Sequence, residues 1–335
     1  MIKIAIVKAG GFSQPWIKYC ELQGIDYKVV NPYDENIVDI VKSDCSAFMW
    51  HHHHSDYRDN LFAKQLIFSL EEAGIKCFPS SSTTWHFDDK VGQKYLLESI
   101  GAPLVPSHVF YTKKEALLWI EKVSFPKVFK LRGGAGSSNV RLVESRYKAR
   151  RLVNKSFSSG FSPSNHFHLF VDSLKKFFHG YAKTYDVAKY SYILARSMFI
   201  PSMLPVQKGY VYFQDFIENN DFDIRVVVIA NRAFAIKRMV RKNDFRASGS
   251  GNIKYDRHEI NEQCVKIAFE VGGKLKLQCV AMDFVFKNER PLIVEMSYGF
   301  SVGGYTPCPG YWTSDMKWHE EKGFDFCGWM VETVV

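Results

Sequence analysis

The stretch at residues 125–140, FPKVFKLRGGAGSSNV, constrains the fold more than any other. Pro126 opens a short apolar run, Val128-Phe129, which ends in Lys130 and then breaks into Gly133-Gly134-Ala135-Gly136-Ser137-Ser138. The pattern predicts a strand that delivers Lys130 to the mouth of a loop poor in side chains. Glycines let backbone N–H groups approach an anion, and serines add hydroxyl donors without bulk. A lysine beside such a loop suits a nucleotide's phosphates. A strand-end lysine is also commonly a solvated charge, so the rest of the chain has to decide between the two.

With 335 residues there is room for two or three domains with real cores. A hydrophobic content of 46% with 24% charged residues is that of an ordinary globular chain, and no apolar run reaches membrane-spanning length. The start, MIKIAIVKAGG, reads as a buried strand and turn, not a signal peptide. Seven scattered cysteines without a CxxC pair point to reduced thiols and a cytoplasmic location, with neither disulfide framework nor zinc site. The net charge of +9 is concentrated: residues 141–200 hold 11 Lys/Arg against 3 Asp/Glu, a net of +8. That segment is either a solvated basic face or a landing site for an anionic partner, and no nucleic-acid motif accompanies it.

Residues 1–88 alternate strand and helix signals. Strands are expected at 2–7, 27–30, 47–50 and 75–78, with helices at 16–23 and 59–73, which makes a small doubly wound α/β domain. Its ligands would sit at the carboxyl ends of the strands, where Gly10-Gly11 and His51 to His54 fall. Neighbouring strand residues face opposite ways, so four consecutive histidines cannot share one metal; one or two contacting substrate is the favoured reading. Asp88 or Asp89 can cap a helix running through Ile100, which puts Lys90 in its first turn. Lysine prefers the other end of a helix dipole, so Lys90 is expected to answer to a ligand such as phosphate. Further on, 109–111 reads as a strand, 113–123 as a helix, and 141–208 as helical, basic and aromatic. Residues 211–218 read as a strand, 223–229 and 232–238 as a hairpin, 241–251 as a basic loop, and 259–272 as a helix.

A last hairpin, 279–286 with 291–296, carries Asp283 and Glu295 inside apolar runs. A buried acid is unfavourable unless it is paired or bound to a cation. Two acids on neighbouring strands can chelate Mg²⁺ together with nucleotide phosphates; the alternative is salt bridges to Arg225, Arg238 or Arg241.

In this order, Lys90 at an Asp-Lys helix start, Lys130 before a Gly-Ser loop, QDFI, DIRVVVI, a downstream arginine and the Asp283/Glu295 pair resemble the ATP-grasp superfamily. That superfamily includes D-alanine–D-alanine ligase, glutathione synthetase and the glutamate-adding ligases. The resemblance implies an α/β chain, with a doubly wound domain at 1–88 followed by a two-lobed α+β ATP-grasp fold, lobes 89–210 and 211–335. It implies ATP and Mg²⁺ as cofactors. Lys90 and Lys130 would hold phosphates, and Gly133, Gly134, Gly136, Ser137 and Ser138 would belong to the loop over the γ-phosphate. Gln214, Asp215, Phe216 and Ile217 would form the hinge that reads adenine, and Asp223 would hold the ribose. Arg238 and Arg246 would be the catalytic arginines, with Arg238 facing the transferred phosphoryl group. Asp283, Glu295 and Ser297 would hold metal, although relatives carry Asn where this chain has Ser297.

The implied activity is an ADP-forming carboxylate–amine ligase working through an acyl phosphate. A small-molecule kinase or a non-catalytic ATP-binding regulator are the alternatives. Partners are then a small-molecule or glycan-precursor carboxylate and an amine, with no nucleic acid; homo-oligomerisation is left open. A tail containing Trp312, Trp318 and Trp329 packs or offers faces to sugar rings. A similar tail belongs to ATP-grasp proteins of surface-polysaccharide synthesis.

Overall fold

The computed structural model describes residues 2–134, 139–162, 170, 171, 173, 174, 177, 184–199, 203–241 and 244–335. Ala135, Gly136, Ser137 and Ser138 of the glycine-serine run therefore lie outside the described residues.

The first unit follows its alternating pattern. Strands β1 (Lys3–Val7), β2 (Asp26–Val30), β3 (Ala47–Met49) and β4 (Lys76–Phe78) form a parallel sheet in the order β2-β1-β3-β4. Helices α1 (Ser13–Gln23), α2 (Ile37–Lys42) and α3 (Tyr57–Glu72) connect them. β1 is apolar almost throughout because both of its faces are covered. Ile4 and Ile6 pack with Trp16 and Cys20 of α1, while Ala5 and Val7 pack with Leu66 and Leu70 of α3.

A short helix, α4 (Ser81–Thr84), leads to α5 (Lys90–Ser99). The second sheet is antiparallel, in the order β5-β8-β6-β7, with β5 (Ser107–Phe110), β6 (Lys127–Lys130), β7 (Val140–Val143) and β8 (Val211–Asp215). Helices α6 (Lys113–Lys122) and α7 (Arg146–Ser156) cover one face, where Phe129, Val143 and Phe213 meet Ala116, Ile120, Ala149 and Val153. The alternate residues Val128, Lys130 and Gln214 are left for the other face. One expectation is corrected here. The run after residue 140, read as helical, begins with strand β7; its four residues are too short for a period to show. β8, at the expected start of the second lobe, pairs with β5 and β6 of this sheet. Helix α8 (Thr184–Phe199) lies within the same stretch.

The third sheet is the largest, in the order β13-β12-β9-β10-β14-β15, with β11 (Ile253–Lys254) beside β10. Its strands are β9 (Phe222–Ile229), β10 (Arg232–Met239), β12 (Cys279–Lys287), β13 (Arg290–Ser297), β14 (Gly310–Thr313) and β15 (Trp318–Glu320), with α9 (Glu262–Lys274) packed behind. Both hairpins close in two residues: Ile229 pairs with Arg232 and Lys287 with Arg290. Asn288 and Glu289 take the left-handed backbone that such turns require. The aromatic tail is packing. Trp312 meets Trp318 with ring centres 4.5 Å apart, and Trp329 of α10 (Phe326–Glu332) lies flat on Phe324 at 5.1 Å. Through α10 the tail closes against α1 of the first unit. No described helix is long and apolar enough to cross a membrane.

Candidate active site

A cavity of about 250 Å³ lies between the second and third sheets. Val128, Lys130 and Gln214 come from one wall; Asp223, Arg225, Asp283, Glu295 and Ser297 come from the other. Phe216 and Ile217, leaving β8, line the join, and Asp88 and His54 reach in from the first unit.

Lys90 opens α5 and is buried, and the carboxylate of Asp89 caps the helix by accepting from Gly92 N at 2.9 Å. Its Nζ lies 3.1 Å from Glu295 Oε1 and donates to the Gly134 carbonyl at 2.9 Å. Burial opposes the ammonium, but the carboxylates of Glu295 and Asp88 outweigh it and hold the Lys90 pKa above the usual lysine value. Lys130 is equally buried, yet its partner is a neutral amide: Nζ donates to Gln214 Oε1 at 2.7 Å. There burial wins and pulls the pKa down to about 8.

Asp283 and Glu295 stand directly opposite each other on β12 and β13. The register slips by one residue immediately after this pair, so the bulge turns both Val294 and Glu295 onto the cavity wall. Asp283 is fully engaged: Arg225 Nε reaches Oδ1 at 2.5 Å, Arg225 Nη2 reaches Oδ2 at 2.6 Å, and Arg238 Nη2 reaches Oδ2 at 3.0 Å. Burial would raise its pKa; the two guanidiniums override that and hold the carboxyl far below the usual range. Arg238 also grips Asp223, through Nε at 2.7 Å and Nη2 at 2.6 Å. The result is a charge ladder, Asp223–Arg238–Asp283–Arg225.

Sequence and structure part at several residues. Arg238, expected to face the transferred phosphoryl group, is set behind the wall by its two carboxylates, and Arg225 is the arginine of the ladder on the cavity surface. The DIR spacing held that signal, because strand alternation puts Asp223 and Arg225 on one face. Asp223, expected to hold ribose, has both oxygens on Arg238. Arg246 lines the cavity and pairs with Asp244 at 2.6 Å. Gln214 works through its side chain, with Nε2 donating to Ser107 Oγ at 3.1 Å and Val294 O at 3.3 Å. Asp215 takes Lys127 Nζ at 2.6 Å. Ser297 lines the cavity and its Oγ donates to Gly299 O at 3.1 Å.

Of the histidines, His51 stacks on Phe12 at 4.2 Å, His52 is bonded to Thr84 Oγ1 at 2.5 Å, and His54 alone lines the cavity. No three His, Cys, Asp or Glu side chains among the described residues are grouped to hold a metal. Asp88, not singled out as a ligand from sequence, accepts from Gly134 N at 2.7 and 2.9 Å. The basic residues of α7 do not border the cavity. Arg146 and Arg150 bind Glu121 at 3.7 and 2.6 Å, across the sheet from Lys130.

A RimK-like ATP-grasp domain matches residues 193–303, the stretch that carries Gln214 to Ile217, the ladder and Glu295. The solved RimK-domain ATP-grasp protein of Sphaerobacter thermophilus is similar over 99% of each chain, at 14% identity and a TM-score of 0.57. The chain has the ATP-grasp fold. A biotin carboxylase domain from Hydrogenobacter thermophilus, solved with MgADP and bicarbonate, matches all of this chain and 70% of its own, at 14% identity and TM-score 0.60. D-alanine–D-alanine ligase from Bacillus anthracis matches 89% of this chain and 87% of its own, at 14% identity and TM-score 0.50. No curated protein matches the sequence.

Proposed function

We propose that the chain is an ATP-dependent, ADP-forming ligase joining a small carboxylate to an amine. The observation that carries this reading is the convergence of Lys130 and the Asp283/Glu295 pair on one interlobe cavity, with Lys90 buried behind it on Glu295. Lys130, buried against an uncharged amide, is suited to a phosphate. Phe216 and Ile217 supply an apolar edge where the adenine would lie, and Gln214 fixes Lys130.

The donor set fits Mg²⁺: hard carboxylate oxygens lie opposite one another, and both are now neutralised by cations of the protein, Lys90 on Glu295 and Arg225 on Asp283. Asp283, Glu295 and Ser297 would hold the ion, and the MgADP in the biotin carboxylase neighbour supports that choice. When bound, the ion neutralises phosphate charge. The chain's own cations do the rest. Lys90 and Lys130 orient the phosphates, and Arg225, facing the cavity, stabilises the charge on the transferred group. The substrate carboxylate attacks the γ-phosphorus and ADP leaves. The amine then attacks the acyl carbon and phosphate leaves, so no Ser or Cys nucleophile is needed.

An acidic sugar as the carboxylate finds no support in the packed tail tryptophans or in the α7 cations across the sheet, and Lys175, Lys176 and Lys183 of the basic stretch lie outside the described residues. The carboxylate is therefore proposed only as a small acid entering beside His54 and Asp88.

Incubation with MgATP, a panel of acids and hydroxylamine tests the reading. A ligase yields a hydroxamate and ADP with the right acid. A phosphate ester without hydroxamate indicates a kinase, and nucleotide binding without turnover over the whole panel indicates a regulator.

A further inference from the structure

We infer that Asp88 is an internal anion occupying the phosphate end of the cavity in the ligand-free protein, one that nucleotide must displace. The inference rests on the nucleotide reading above. Both oxygens of Asp88 take the Gly134 N–H, at 2.7 and 2.9 Å, while the Gly134 carbonyl takes Lys90 Nζ at 2.9 Å. The peptide expected to meet phosphate and the lysine expected to hold it are thus already satisfied inside the protein. The approach is close: a Cβ on Gly133 would stand 2.9 Å from Asp88 Oδ2. Asp88 itself has φ +54, a left-handed backbone that Asp and Asn tolerate better than other side chains.

A carboxylate and a phosphate offer a backbone N–H the same kind of acceptor. Asp88 keeps the Gly134 N–H from being buried without a partner while the site is empty. The same carboxylate opposes nucleotide, because a phosphate drawn to Lys90 would meet a like charge beside it. Four groups act on Asp88: Lys90 from α5, Gly134 N from the loop, Glu295 from β13 and Lys64 from α3. Lys90, Gly134 N and Lys64 favour the carboxylate, but burial, joined by the like charge of Glu295, outweighs them and raises its pKa to about 6, so its charge is already disfavoured before an anion arrives.

The test is the dissociation constant for MgADP, by calorimetry, of the full chain and of Asp88→Asn and Asp88→Gly. Both replacements accept a positive φ, so the fold should persist, and a thermal melt checks it. At pH 7.5 each variant should bind MgADP more tightly, on the order of tenfold, for loss of one close like-charge contact. The ratio of wild-type to Asp88→Asn dissociation constants should also fall towards one between pH 7.5 and 5.5, as wild-type Asp88 takes up a proton. Loss of a merely structural contact would produce neither the gain nor the convergence. Unchanged or weaker binding in folded variants, with wild type binding normally, overturns the role of Asp88 alone. Failure of all three proteins to bind MgADP overturns the nucleotide reading and this inference with it.

Discussion

The two walls of the cavity handle buried charge in opposite ways. The smaller sheet presents one cation, Lys130, against a neutral amide, and burial has lowered its pKa to about 8. On the larger sheet Asp223, Arg238, Asp283 and Arg225 match one another, and Glu295 is matched by Lys90. A compensated ladder is stable before any ligand arrives, so a ligand there competes with pairs already made, whereas an uncompensated ammonium is stabilised by an arriving anion. One wall meets a ligand with its charges paired; the other meets it with a charge unpaired.

Breaking the ladder should produce the largest effect. Asp283→Ala leaves Arg225 and Arg238 buried without their shared carboxylate, and should reduce unfolding free energy by about 3–5 kcal/mol. Chemical denaturation checks this; a loss below about 1 kcal/mol would mean the ladder is not compensated as described. Lys130→Met should behave in the contrary way. Removing an unmatched buried charge should leave stability equal or higher, while turnover drops by roughly a hundredfold or more, the scale of losing one preorganised electrostatic contact. Paired denaturation and ADP-release assays distinguish the walls. If both variants lose only stability, the comparison is wrong.

Glu295→Gln lies between these extremes, since Glu295 is matched by the single cation Lys90, at 3.1 Å, and stands outside the ladder. It should weaken Mn²⁺ binding in the presence of ADP, read by electron paramagnetic resonance, with a melting temperature changed by only a few degrees. A collapse of stability without any change in metal affinity would make Glu295 a structural ion-pair partner.

How much of this was legible in the sequence depended on whether contacts were local. The buried apolar strand in MIKIAIV and a helix cap at Asp88 or Asp89 were readable because run and cap lie within a few residues. The Asp283/Glu295 pair was readable as two acids on neighbouring strands of one hairpin, but not as direct partners: the two-residue turn alone would set Asp283 opposite Val294, and the bulge brings in Glu295. Three things were not. β8 joins β5 and β6 across a long intervening segment, so its allegiance left no trace in local pattern. The tail tryptophans could be read as packing or as sugar platforms, because their partners, β14 against β15 and α10 against α1, appear only once the chain folds back. Arg238 and Arg225 are both arginines on apolar strands; only the packed ladder shows which is behind the other. Asp88 was visible merely as one of two candidate caps, since its bond to Gly134 spans 46 positions.

The smallest effect sharpens the comparison most, because affinity and stability should move in opposite directions with pH. The folded-state pKa of Lys130 is lowered to about 8, against an ordinary lysine value near 10.5. Between those pH values the unfolded chain keeps a proton at this site that the folded chain has lost. Unfolded protein then binds more protons, so the contribution of Lys130 makes stability rise with pH across that window. Nucleotide affinity should do the reverse, because the phosphate's counter-ion is disappearing; it should weaken by up to about tenfold per pH unit above 8 if phosphate binding requires the charged form. Lys90, whose pKa is raised by its carboxylates, stays charged throughout and cannot produce this trend. Calorimetric titration of MgADP from pH 7 to 9.5, compared with Lys130→Met as a pH-insensitive reference, measures it. A wild-type affinity as flat as that of the variant would mean that Lys130, for all its burial, never meets the phosphate.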